Sequence, residues 1–269
     1  MIIDGRKIAA GIIAGLKGKK TIGKIVVILV GEDAASLSFV RQKERVAKEL
    51  GIPFEIARFK NDVSEDELVR AVRWYSFGLD VSGIIVQLDL PRYISEEVVL
   101  SEIGCAKDID CLSGGRQRDF FANPLGAEIA PPAVGAVRSI LGEVQFGEIR
   151  GKDIVIVGRG DLTGKPVTAW FKAQTDDVTV LLRETEEKEK LAVLKSADLI
   201  VSGVGKNRIK ITGEMIKPGA LVIDFGCPAD ADAKSIDAAG GSVTPTPGGT
   251  GPVLVAELFK NFLILNAGN

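Results

Sequence analysis

The chain has 269 residues, 46% of them apolar and 26% charged, which is material for one large or two ordinary domains and not for a disordered chain. A net charge of −2 offers no basic surface to nucleic acid, and no apolar run approaches the ~18 residues that cross a bilayer. Three cysteines without a CxxC pair make neither a disulfide framework nor a zinc site, and zero histidines exclude Ser-His-Asp and Cys-His catalysis and the common His-containing metal centres. Acid–base work must then come from Lys, Asp, Glu, Tyr or Cys. The opening MIIDGRKIAAGI lacks the basic stretch and apolar block of a signal peptide, so the expected location is the cytoplasm.

In chain order, KIVVILVG (24–31) reads as a buried strand, and Asp33 caps a helix that stops at Gly51. IPFEIARF (52–59) is the next strand, followed by a helix that Ser64 and Glu67 open as a capping box and that runs to about Trp74. GIIVQL (83–88) is a third buried strand and SEEVVLSEI (95–103) a further helix. Strands separated by helices predict a parallel sheet covered on both faces. The stretch 111–132, CLSGGRQRDFFANPLGAEIAPP, has no clear periodicity and reads as a linker, with a bridging helix in PAVGAVRSILGEV. A second alternating unit has strands at 153–158, 178–182, 198–203 and 220–226, and the apolar 252–265 segment is predicted to pack back as a helix.

Two features carry chemistry. In FVRQKERVAKELGI (39–52), a helix turning about 100° per residue gathers Phe39, Val40, Val46, Ala47 and Leu50 on one arc, with Lys43 near its middle. An amine there is a snorkelling side chain, a buried ion pair or a base whose pKa burial has lowered. The second feature is GRGDLTGKP (158–166), which follows a strand and precedes a helix with GxGxxxG spacing. Such a turn lets a pyrophosphate approach the helix N–H groups. The next strand ends LLRET, so Arg183 stands where a ribose-reading residue is expected. Arg183 is either a solvated strand-end charge or the partner of a 2′-phosphate, which favours NADP over NAD.

SFVRQK (38–43), GIIVQLDLP (83–91), KDID (107–110), VGRGDLTGKP (157–166) and TPTPGGTGP (244–252) follow one another in this order. With them the chain resembles, over essentially its whole length, the bifunctional methylenetetrahydrofolate dehydrogenase/cyclohydrolase (FolD) family. The resemblance implies an α/β fold of two domains with a folate cleft between them. It assigns 1–118, joined by the C-terminal helix 252–269, to an α/β catalytic domain and 119–251 to a Rossmann-type NADP-binding domain. It further implies a homodimer that oxidises 5,10-methylenetetrahydrofolate with NADP and hydrolyses the methenyl product to 10-formyltetrahydrofolate.

By the same resemblance, Lys43 matches the catalytic lysine, Gln87 the glutamine that contacts it, and Asp110 the aspartate that holds the pterin. Gly158, Arg159 and Gly160 match the cofactor turn, continued by Gly164 and Pro166, and Cys227 lies in the loop on the nicotinamide side. Gly248 and Gly249 are expected to let the backbone approach the folate. Phe39 replaces the usual tyrosine; it keeps a ring for stacking and loses a hydrogen-bond donor. Asp89 replaces a proline, Cys111 a glycine, APPAVG (130–135) a PCTPxG-like stretch, and Leu182-Arg183 a His-Ser pair. Read one at a time, Gln87 is a strand-end amide, Asp110 a loop cap and Phe39 plain core. Two other functions fit parts of the pattern: an NADP-dependent dehydrogenase of a small hydroxy or amino acid, and a dinucleotide-sensing module without chemistry.

Overall fold

In the computed structural model, which describes residues 1–205 and 209–267, the chain forms two α/β units. The last two residues of the expected 252–269 segment lie outside the described residues. One unit comprises Gly11–Pro132 with Val255–Asn269, the other Met1–Ala10 with Ala133–Leu254. Those divisions lie away from the expected breaks at 118/119 and 251/252, and they place the first ten residues in the nucleotide-type unit. The cause at the N-terminus is a backbone pairing that leaves no sequence signal: Ile3 N donates to Val243 O and Val243 N to Met1 O, both at 2.9 Å.

The elements up to residue 122 are α1 (Gly5–Leu16), β1 (Lys24–Val30), α2 (Ala34–Leu50), β2 (Phe54–Phe59), α3 (Glu65–Phe77), β3 (Val81–Val86), α4 (Glu96–Ser101) and α5 (Gly114–Ala122). The three strands form a parallel sheet in the order β2-β1-β3. Residues 25–30 of the central strand are all buried, because helices cover both faces and no position is left for a polar residue. As expected, Asp33 caps α2 by accepting from Ser36 N, and Gly51 ends it at φ 70°, a left-handed conformation that costs glycine nothing. Ser64 caps α3, which runs one turn beyond the expected end, to Phe77.

The predicted linker is not a plain linker. It contains α5, capped by Ser113 accepting from Arg116 N, with Phe120 fully buried. The helix escaped the sequence reading because it opens Gly-Gly and buries only Phe120, too little for a periodic signal.

The remaining elements are α6 (Pro132–Glu143), β4 (Ile154–Val157), α7 (Gly164–Lys172), β5 (Val178–Leu181), α8 (Glu187–Ser196), β6 (Leu199–Ser202), β7 (Leu221–Asp224), α9 (Ala233–Ala238), β8 (Ser242–Val243) and α10 (Thr250–Leu265). The five strands make a second parallel sheet, ordered β5-β4-β6-β7-β8. The direction of winding reverses between β4 and β6, and ligands of open α/β sheets bind outside the carboxyl ends of the strands at such a point. As the sequence reading expected, α10 returns to the first sheet: Leu258, Phe259 and Phe262 share a core with Ile25, Val27, Ile85 and Ile109. No helix among the described residues is long and apolar enough to cross a membrane.

Candidate active site

Lys43 lies in the middle of α2 and is 7% exposed. Its Nζ donates to Gln87 Oε1 at 2.9 Å. Gln87 is held in turn: its backbone N donates to Ile28 O, continuing the β1–β3 ladder, and its Nε2 to Leu88 O, each at 2.9 Å. The amide oxygen is therefore fixed toward the amine. Burial holds Lys43 below the usual lysine range, and the Asp110 carboxylate partly offsets this. Asp110 moves the opposite way, raised by burial and by Asp108 and lowered by Lys43. Lys43, Gln87 and Asp110 thus form one coupled group, built from helix, strand end and loop. Phe39, one turn before Lys43 on α2, is half-buried.

Asp110 directly follows two anchored residues. The Ile109 carbonyl accepts from Asn261 Nδ2 of α10 at 3.0 Å, while Asp108 Oδ2 accepts from Ser113 N at 2.6 Å. Cys111 is buried at φ 59°, a region that glycine enters freely and other residues enter at a cost. That conformation would suit the glycine that the family resemblance leads one to expect at this position. Burial pushes the Cys111 thiol up, which disfavours the thiolate. A Cys111→Val variant places a β-branched side chain in the left-handed region of a packed loop. It is expected to lose about 2 kcal/mol or more of stability in denaturant melts.

In the nucleotide-type unit, a cavity of about 810 Å³ opens at the carboxyl ends of β4, β5 and β6. Gly158, Arg159 and Gly160 line it, as does Arg183 after β5. Gly158 has φ 92°, and a Cβ built at Gly160 would meet no atom within 4 Å, so the turn leaves its backbone open to a ligand. Gly164 and Pro166 do not line the cavity; they are buried in the first turn of α7. Gly164 is where helix and turn touch, since a Cβ there would overlap the Gly158 carbonyl oxygen.

Two basic lining residues, Lys190 and Lys210, were not foreseen. Lys190 Nζ donates to Glu187 Oε1 at 2.6 Å and to Arg183 O at 3.4 Å, and Lys210 stands on the rim. Within EEKEKL, Lys190 looks like one more solvated charge, and only its 16% side-chain exposure distinguishes it. Four basic side chains against two acidic ones on these walls suit a polyanionic cofactor.

Cys227 is exposed in the loop after β7, lies against Gly205, and does not line this cavity. Gly248 has φ 100° and lies beside the Arg6 guanidinium. Gly249 lacks room for a side chain because of its own chain: a Cβ would lie 2.5 Å from Pro245 O, and Gly5 packs against its carbonyl.

A parallel five-stranded sheet with an open glycine turn and a cavity at its switch point defines a dinucleotide-binding α/β protein, and the other unit carries a buried lysine hydrogen-bonded to a glutamine. A family model described as tetrahydrofolate dehydrogenase/cyclohydrolase, catalytic domain, matches residues 3–110, and its NAD(P)-binding domain counterpart matches residues 131–268. The chain belongs to the tetrahydrofolate dehydrogenase/cyclohydrolase family. It is 34% identical to the bifunctional protein FolD of an Exiguobacterium species, over 97% of this chain and 96% of that one. Identity to the FolD of Moorella thermoacetica is also 34%, with the same coverage. The solved structure of the Trypanosoma brucei dehydrogenase-cyclohydrolase, complexed with NADP and an inhibitor, is similar at a TM-score of 0.89 and 30% identity, covering 99% of this chain and 97% of that one. The protein is thus an NAD(P)-binding folate enzyme with dehydrogenase and cyclohydrolase functions.

Proposed function

We propose that this enzyme oxidises 5,10-methylenetetrahydrofolate with NADP and hydrolyses the methenyl product to 10-formyltetrahydrofolate, with Lys43, Gln87 and Asp110 as its chemical centre. The observation that carries this reading is the buried Lys43 amine aimed at Gln87 and electrostatically coupled to Asp110. Asp110 accepts the N–H groups of the pterin's amino-pyrimidine edge, Phe39 offers a ring face, and Gly248 and Gly249 present backbone to the folate.

Bound NADP supplies the acceptor for the hydride that leaves the methylene carbon. The resulting cation is shared by the two flanking nitrogens, so this step asks the protein for orientation and no proton transfer, which suits a chain without histidine. Hydrolysis does need a base. Water adds to the methenyl carbon and its proton passes to the neutral Nζ of Lys43, which Gln87 keeps in direction. The new hydroxyl then gives up its proton as the bond from that carbon to N5 breaks and N5 takes a proton up, leaving the formyl group on N10. One proton is released overall when Lys43 returns to its neutral form.

Supplying methylenetetrahydrofolate and NADP and following NADPH with methenyl absorbance tests both halves. NADPH without methenyl build-up is the expected result. No NADPH would remove the dehydrogenase, and persistent methenyl absorbance would remove the hydrolase.

Gly158, Arg159 and Gly160 hold the pyrophosphate, Gly164 and Pro166 fix the turn from beneath, and Cys227 belongs to the nicotinamide side. Arg183 takes the 2′-phosphate. Arg183→Ala is expected to raise the Kd for NADP by about tenfold or more while NAD binding changes little, read by titration of both cofactors. The homodimer rests on the resemblance alone, and the cytoplasmic location on the lack of a signal-peptide pattern in MIIDGRKIAAGI. Sedimentation at micromolar concentration checks the first.

A further inference from the structure

We propose that Asp230 is a positioning residue for the cofactor, shaping the wall of the nucleotide cavity without touching the ligand; this rests on the reading that the cavity beyond β4–β6 takes the dinucleotide. Asp230 is fully buried and does not line the cavity. Its carboxylate gathers the chain that leaves β6: Oδ2 accepts from Ser202 Oγ at 2.7 Å and from Val204 N at 2.8 Å, and Oδ1 accepts from Gly205 N at 2.9 Å. Three donors from four consecutive residues converge on one side chain, and Gly203 and Val204, in the middle of that run, line the cavity. Val204 also backs the glycine turn, since its Cγ2 lies 3.1 Å from where a Cβ on Gly158 would stand.

Asp230 is held in its own place by a second buried carboxylate. Asp224, at the end of β7, accepts from Gly226 N at 2.6 Å and from Ala231 N at 2.9 Å, closing the loop that carries Asp230. A Cβ at Gly226 would stand 2.5 Å from Asp230 Cγ, so loop and carboxylate are packed as one piece. A carboxylate is the side chain that suits this site, because every group presented to it is a donor. An asparagine there would oppose one of those N–H groups with its own NH₂ and release that end of the wall.

The test uses the whole enzyme and both activities, because hydrolysis of methenyltetrahydrofolate involves no electron transfer and can be assayed without cofactor. Asp230→Asn is expected to raise the KM for NADP and for NAD alike, by about tenfold, with little change in kcat at saturating cofactor and with hydrolysis retained. Loss of both cofactors together separates this role from that of Arg183, whose removal should affect NADP alone. An unchanged KM for NADP, or hydrolysis falling in step with cofactor affinity, overturns the proposal. Should Asp230→Asn not fold, Ser202→Ala decides: it removes one donor only, and a rise of about threefold in the NADP KM supports the role, whereas no rise overturns it. Gly160→Val tests the underlying site separately, since its side chain would enter open space beside the turn. Undiminished NADP binding in that variant would sink the cavity assignment; weakened binding there with a normal Asp230→Asn enzyme would sink only the positioning role.

Discussion

A Lys43→Met enzyme is expected to lose about 10²–10⁴-fold in methenyl hydrolysis, the usual worth of a positioned base, while its NADP affinity stays within about twofold. The affinity is kept because Lys43, on α2, belongs to a different unit of the chain from the cofactor turn. Burial is the main reason the amine is held below the 10.5 of a free lysine, so a neutral Nζ becomes available as pH rises. Hydrolysis should therefore increase with pH and level off at an apparent pKa below 10.5, a limb that Lys43→Met abolishes. The charge of Asp110 favours the ammonium form, so Asp110→Asn should move that limb to lower pH at saturating substrate. Undiminished hydrolysis in Lys43→Met would end the base assignment. A limb that moves upward in Asp110→Asn would contradict the coupling.

The second large effect is steric and depends on no titration. Gly5 opens α1, and a Cβ added there would fall on the Gly249 carbonyl. That oxygen is backbone, so no rotamer change relieves the clash. Gly249 is itself tied to Pro245 O through its N–H at 2.7 Å, and its Cα faces Thr244. The Thr-Pro-Gly-Gly turn must shift bodily. Gly5→Ala is expected to cost about 3 kcal/mol, lowering the melting temperature by roughly 6–12 °C, and to raise the folate KM in the dehydrogenase assay. An unchanged melting temperature would mean the two segments separate freely in solution.

Phe39 now has a narrower question attached to it. It stands one helical turn from Lys43, half-buried, and offers a ring without a hydroxyl. The coupled assay decides what that costs the hydrolase half, because methenyl accumulation would appear there before any loss of NADPH formation.

Much of the architecture was legible in the sequence because its signals are local. The buried run of β1, the Asp33 and Ser64 caps and the stop at Gly51 each depend on a few neighbouring residues, and each was found where expected. The helix within 111–132 was missed because its one buried aromatic gives no period. The inward lysine was also legible, since helical geometry alone set it among apolar neighbours. Its partner came from the family resemblance alone: Gln87 lies 44 residues away, and nothing in the spacing says that their side chains meet.

By itself, the sequence determined the α/β class, the two sheets, the glycine turn and the absence of histidine chemistry, because composition and short-range periodicity carry those. Only the tertiary structure decided which charges are buried together. It set the opposed shifts of Lys43 and Asp110, turned Lys190 toward the Arg183 backbone, and closed Asp230 around the end of β6. Desolvation and hydrogen-bond satisfaction are properties of surroundings. A residue's surroundings come from chain segments that its own neighbourhood in the sequence does not name.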